Sequence, residues 1–223
     1  MACLFNNHLI IQYDDTSDKP ILIRRCCWSS NVARLSLKEF LKIKDIIDYV
    51  SKLDSPKKEV DICKDNCSEI SNSIENIQIL ISRNCNLHCY HCFYNDHKDT
   101  KIMITLNNYC LNKLKGHNLN TLRLNGSGEI FTYYNDVIKY LRSINTQDFK
   151  NIKFFTNGNL LSDERLEELK NISIQTGINY IFSYSVDAVT KETYEKIRIG
   201  GDFNKVLQNI KKQYLYSRKT MFF

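Results

Sequence analysis

Cys85, Cys89 and Cys92 fall within the eight residues CNLHCYHC. In a reducing compartment, thiols packed this closely more often bind metal than form disulfides. Three thiolates can hold three irons of a four-iron cubane and leave the fourth iron open to a ligand, whereas a closed cluster takes four. The alternative is a zinc site in which His88 or His91 completes a tetrahedron. Spacing alone leaves both open.

What positions the triplet is legible in the surrounding pattern. From Ile77 onward, short apolar runs alternate with amphipathic stretches at intervals of about 30 residues, the signature of successive βαβ units around a parallel sheet. The runs predict strands at Ile77–Ile81, Thr121–Leu124, Ile152–Phe155 and Tyr180–Val186, and RKTMFF reads as the opening of a fifth. Thr105 can cap a helix carrying Leu106, Cys110 and Leu114, which Gly116 ends. A second helix carries Val137, Leu141 and Ile144, Ser162 can start a third, and Asp202 a fourth with Phe203, Val206, Ile210 and Tyr214 at helical spacing. The triplet therefore lies directly after the first of these strands, at the C-terminal mouth of the sheet, where α/β folds place their chemistry.

Residues 1–76 follow a different rhythm. LIIQY and ILIRR flank a DDTSDKP turn and predict a hairpin, Ser36 and Glu39 make a capping box before Phe40, Ile43, Ile47 and Val50, and SPKKEVDICKDNCSE is a polar loop. A domain boundary is expected near residue 76, giving 1–76 and 77–223. Of nine cysteines, Cys3, Cys26, Cys27, Cys63 and Cys67 lie in this first part, and Cys110 sits on an apolar helix face as a core residue. The net charge of +6 is spread among mixed acidic and basic residues, which argues against a dedicated nucleic-acid binder. MACLFNNHLIIQYDD has no basic start followed by a long apolar run, and no stretch approaches the ~20 apolar residues of a membrane span, so a soluble cytoplasmic protein is expected.

The C-x3-C-x2-C spacing after a first strand resembles the radical S-adenosylmethionine (SAM) superfamily, and the family's other motifs recur after successive strands. Gly126, Ser127, Gly128 and Glu129 of LNGSGEI resemble the GGE motif that binds the SAM amino group. Glycines let the backbone turn beside a ligand, and a carboxylate suits an ammonium. Thr156, Asn157 and Gly158 resemble its TNG segment. Ser185 and Asp187 of SVDA match residues lining the SAM site, and Arg198 of YEKIRIGG matches an arginine that grips the methionyl carboxylate. His91 takes the place of an aromatic ring near the adenine. Singly, each has a plainer reading as turn glycines, a turn dipeptide or a surface charge; their order after consecutive strands is what carries the resemblance.

The resemblance implies an incomplete (β/α)6 TIM-like barrel of four βα units and the start of a fifth, where a full domain closes six. It implies a [4Fe-4S] cluster on Cys85, Cys89 and Cys92, and an oxidoreductase that cleaves SAM reductively to a 5′-deoxyadenosyl radical, fed by an electron-donor protein. Cys3, Cys26, Cys63 and Cys67, with Cys26 preferred to its neighbour Cys27, resemble a SPASM-type auxiliary domain holding a second [4Fe-4S] cluster, though zinc would suit the same four ligands. SPASM-bearing relatives commonly modify a peptide or protein, and a carbohydrate substrate is the next expectation. The contrasting reading is a non-catalytic metal-binding module that serves as a partner subunit.

Overall fold

The computed structural model describes residues 8–13, 17–25, 31–53, 73–80, 83–93, 112–125, 128–216 and 221–222. Its strands are β1 (His8–Tyr13), β2 (Ile21–Arg24), β3 (Asn31–Leu35), β4 (Asn76–Leu80), β5 (Leu119–Asn125), β6 (Phe149–Thr156), β7 (Asn179–Tyr184) and β8 (Met221–Phe222). They form one sheet in the order β3-β2-β1-β4-β5-β6-β7-β8. From β4 to β8 every pairing is parallel, and the predicted strands appear within a few residues of their expected bounds.

The central strands alternate in residue type across their middles. Ile77 and Ile79 of β4, Leu122 and Leu124 of β5, and Ile152 and Phe154 of β6 are all fully or almost fully buried on one face, while Gln78, Arg123 and Lys153 occupy the other. Helices cover the first face. The helix α3 (Tyr134–Leu141) buries Val137, Ile138 and Leu141; α4 (Asp163–Thr176) buries Leu166, Leu169 and Ile172; α6 (Phe203–Tyr216) places Phe203, Val206 and Ile210 in the same core. Phe154 is the hub of this layer, with ring centroids 5.7 Å from Phe131, 4.9 Å from Phe182 and 5.3 Å from Tyr180. Burying such a ring contributes about 1.5–3 kcal/mol, and each well-oriented aromatic pair adds roughly 0.5–1.5 kcal/mol.

The N-terminal hairpin is present, with β1 and β2 antiparallel. The break in rhythm near residue 76 coincides with a change from antiparallel to parallel pairing, yet sheet and core run through it: β1 pairs in parallel with β4, His8 opposite Asn76 and Ile11 opposite Ile79, and Leu9, Ile23 and Phe40 share one apolar cluster with Ile77 and Leu122.

Two local expectations are corrected. The Ser36 capping box forms, with the Glu39 N–H on Ser36 Oγ and the Ser36 N–H on Glu39 Oε2, but the helix it starts does not continue to Val50. It ends as α1 (Leu37–Lys42), Ile43 turns extended, and α2 (Ile46–Ser51) begins afresh. The cause is Asp45, whose carboxylate accepts the N–H groups of Ile47 (2.9 Å) and Asp48 (3.0 Å) and so out-competes helix continuation. The short helix α5 (Lys191–Ile197) was not foreseen; Thr190 caps it, but with Tyr194 its sole fully buried residue it leaves almost no apolar period to read. The helix expected from Thr105, with Cys110, lies outside the described residues, as do Cys3, Cys26, Cys27, Cys63 and Cys67.

Candidate metal and cofactor centre

The triplet loop leaves the C-terminal end of β4 and is pinned from outside. The His88 N–H donates to Ile199 O (2.9 Å) and the Tyr90 N–H to Ile197 O (2.8 Å), so the segment closing α5 holds the loop's shape; the Cys92 N–H then turns back onto Cys89 O (3.0 Å). Cys85 and Cys92 are half-buried and Cys89 is buried. Burial is the main effect pushing the Cys85 thiol up; the Leu87 N–H on its sulfur (3.4 Å) pulls it down, and negative charge on Glu129, Cys89 and Cys92 pushes it up again. Burial likewise raises Cys89, opposed by Arg198 and reinforced by Cys92 and Asp187. Thiols that repel one another's ionisation are those a polyvalent cation would deprotonate on binding. Among the described residues, no three His, Cys, Asp or Glu side chains are grouped closely enough to hold one metal ion.

The loop after β5 lies directly against the triplet loop. The Glu129 N–H donates to Asn84 O (2.8 Å), and a Cβ on Gly128 would stand 2.1 Å from that same oxygen, so only glycine fits. Gly126 and Ser127 lie outside the described residues. Glu129 is only 2% exposed, and its carboxylate is engaged by the protein itself: Oε1 accepts from Thr156 Oγ1 (2.7 Å) and the Phe131 N–H (3.2 Å), and Oε2 from the Asn157 N–H (2.7 Å). Three of its roughly four acceptor positions are thus used to tie the end of β5 to the end of β6. Burial raises its pKa against those donors and Arg198.

Asn157 sits where the two loops meet. Its side-chain amide donates to Asn86 Oδ1 (3.0 Å) and points at Cys85 Sγ (3.8 Å), while its own Oδ1 accepts the Asn159 N–H (2.9 Å). Gly158 makes this turn possible: its φ is +75°, and a Cβ there would meet the Tyr184 ring at 2.9 Å. Ser185 is half-buried at the end of β7, its N–H on Thr156 O (2.9 Å).

Arg198 closes the far side. At 8% exposure its guanidinium pairs with Asp187 Oδ2 (2.5 Å) and reaches Cys89 Sγ (3.7 Å), and His91 Nε2 lies 3.6 Å from the same Asp187 oxygen. Its Nε is buried with no acceptor among the described residues, one donor in reserve beside the thiols. A half-satisfied arginine, a glycine cradle and three neighbouring thiols are a donor set that fits a [4Fe-4S] cluster and the carboxylate of SAM.

Three positioning residues carry no motif in the sequence. Asn159 donates to Tyr194 Oη (3.1 Å) and accepts the Asp202 N–H (2.7 Å). Asn209 of α6 donates to Gly158 O and Leu161 O, both at 2.9 Å, and Gln213 accepts from Tyr184 Oη (2.5 Å). The available signal was polar residues on the buried stripe of α6, at Asn209 and Gln213 beside Val206 and Ile210.

The sequence profile described as the Radical SAM superfamily matches residues 79–216, a span that leaves out Cys3, Cys26, Cys63 and Cys67. A protein of Methanocaldococcus jannaschii named "Probable GTP 3',8-cyclase" is 28% identical over 140 residues, covering 62% of this chain and 45% of that protein. One of the same name from Saccharolobus islandicus strain L.S.2.15 is 24% identical over 144 residues, 62% of this chain and 43% of its own length. The chain therefore spans under half the length of these relatives.

Proposed function

The chain belongs to the radical SAM superfamily, and from that premise we propose that it is an enzyme using Cys85, Cys89 and Cys92 to hold a [4Fe-4S] cluster and Arg198, Asn157 and the Gly128–Glu129 loop to seat SAM beside it. When bound, the cluster supplies one-electron reductive cleavage of SAM. The protein's own part is orientation. Arg198, held by Asp187, offers its buried Nε–H to the methionyl carboxylate; Gly128 lets backbone approach the amino group; His91, 3.6 Å from the same Asp187 oxygen, is assigned to stack on the adenine. Glu129 acts one step back, fixing the ends of β5 and β6, and it keeps an acceptor position for an ammonium.

The relatives' name supports a purine nucleoside triphosphate as substrate, in place of the peptide or carbohydrate that the SPASM resemblance implied. The observation that carries the reading is Arg198, which unites Cys89, Asp187 and an open donor in one buried side chain. The test is anaerobic reconstitution with iron and sulfide, reduction, and addition of SAM. 5′-Deoxyadenosine should form and should disappear in Cys89→Ala, with GTP consumed alongside it. A colourless protein carrying stoichiometric zinc would refute the proposal.

A further inference from the structure

The sulfur ligands of an iron-sulfur cluster carry part of its negative charge, so the groups that donate to them decide how readily the cluster takes an electron. Two side chains from distant parts of the chain donate to the triplet. Asn157 Nδ2 lies 3.8 Å from Cys85 Sγ, across 72 residues, and Arg198 Nη1 lies 3.7 Å from Cys89 Sγ, across 109. Both residues are buried, so water does little to screen them. Cys85 receives the Leu87 N–H as well, at 3.4 Å.

The Asn157 amide has only one way round. The Asn159 N–H can only donate, and it stands 2.9 Å from the Asn157 side chain, so the atom facing it is Oδ1 and the nitrogen faces the other way. Both amide hydrogens are then committed, one to Asn86 Oδ1 (3.0 Å) and one toward Cys85 Sγ. The backbone is pinned too: the Asn157 N–H donates to Glu129 Oε2 (2.7 Å), and the Asn157 carbonyl accepts from Asn159 Nδ2 (3.1 Å). From behind, Asn209 of α6 donates to Gly158 O (2.9 Å) and fixes the turn against the core. A turn of this kind needs the Oδ1 bond alone; the nitrogen end serves the cysteine loop.

We infer that Asn157 sets the reduction potential of the cluster carried by Cys85, Cys89 and Cys92, its side-chain N–H stabilising the reduced form through Cys85 Sγ. Reduction adds one negative charge, and a donor already fixed in a buried site favours the state with more charge on sulfur. Loss of that donor therefore makes the cluster harder to reduce. Arg198 acts in the same sense on Cys89, but it also pairs with Asp187 and offers its Nε–H to SAM, so Asn157 is the cleaner of the two to isolate. This rests on the cluster reading above and names the residue that governs how strong a reductant the chain requires.

The test is a dye-mediated redox titration of the full chain, reconstituted anaerobically with iron and sulfide and without SAM, with the reduced cluster read by electron paramagnetic resonance. In Asn157→Leu the ratio of reduced to oxidised cluster at a fixed potential should fall roughly tenfold, a midpoint lower by about 59 mV for one electron. Asn157→Asp keeps the shape and the Oδ1 bond but puts negative charge where the N–H was, and should lower the midpoint at least as far. Asn86→Ala removes the other amide partner while the Asn159 N–H still orients the Asn157 side chain, and should shift the midpoint less than half as much. Iron and sulfide per chain, measured on the same samples, separate a changed potential from a lost cluster. An unchanged midpoint in both Asn157 variants, or an equal shift in Asn86→Ala, would overturn the inference and leave the cluster reading intact. Where Asn157→Leu takes up no cluster, Asn157→Asp decides alone, and loss of the cluster in both would assign Asn157 to holding the loop instead. A wild-type chain that takes up no cluster would overturn both readings together.

Discussion

The two faces of the sheet differ as much as two proteins might. Against the helices stand Ile79, Leu124, Ile152, Phe154 and Phe182, nearly all inaccessible; on the other side, one residue away along the same strands, stand Gln78, Arg123, Asn151, Lys153 and Ser183. Apolar area removed from water is a stabilising quantity that depends little on exact identity, whereas buried cations and amides cost desolvation and persist where they are needed for something else. The pleat thus sets two differently composed surfaces on the same strands.

The largest effect tests the apolar face. Phe154→Ala removes the hub of the aromatic layer and should destabilise the fold by about 3–5 kcal/mol in urea unfolding. A loss below ~1 kcal/mol would mean that the helices do not draw their stability from this face. Next comes His8 on the polar face, whose pKa burial and Arg123 depress from 6.5 to about 4. Between those values the unfolded chain takes up a proton that the native state refuses. Stability should therefore be full above pH 6.5 and fall as pH drops toward 4, by on the order of 3 kcal/mol. His8→Gln should flatten that slope; an unchanged slope would place the effect elsewhere.

A smaller effect joins the faces. Asn209 reaches from a core helix to the turn carrying Asn157, and Asn209→Leu strands the carbonyls of Gly158 and Leu161 at about 1–3 kcal/mol. Iron content after reconstitution should fall as well, because the same turn carries the amide aimed at Cys85. Smallest is Lys153→Met, expected to shift stability by less than about 1 kcal/mol in either direction. A large loss would show that Lys153 supports the fold.

Much of this was legible in the chain. Alternation in NIQIL, TLRL and NIKFF marked the strands, and capping residues Ser36, Ser162 and Thr190 stand where helices begin, although α5 was missed for want of buried neighbours. The break at Asp45 was not read, because Phe40, Ile43, Ile47 and Val50 keep helical spacing across it while the cap is a competing local bond. At the site, the cysteine triplet, Asn157, Asp187 and Arg198 were named from the family resemblance, and the structure sets Asn157 beside Cys85 and Arg198 beside Cys89 and Asp187. Glu129, expected to take the SAM amino group, also accepts from Thr156, Asn157 and Phe131, and the donors on β6 lie on an element no local pattern connects to it.

By itself the sequence determined which residue types stand at strand ends and which alternate along strands, because both follow from local geometry with a period of two. Tertiary structure alone decided that Arg198 lies on Cys89 across 109 residues, that Asn157 faces Cys85 across 72, and that Arg123 stands beside Lys153 and acts on His8. Those juxtapositions depend on strand order and register, which are set by how the whole sheet buries its apolar face, and no short stretch of chain contains that information.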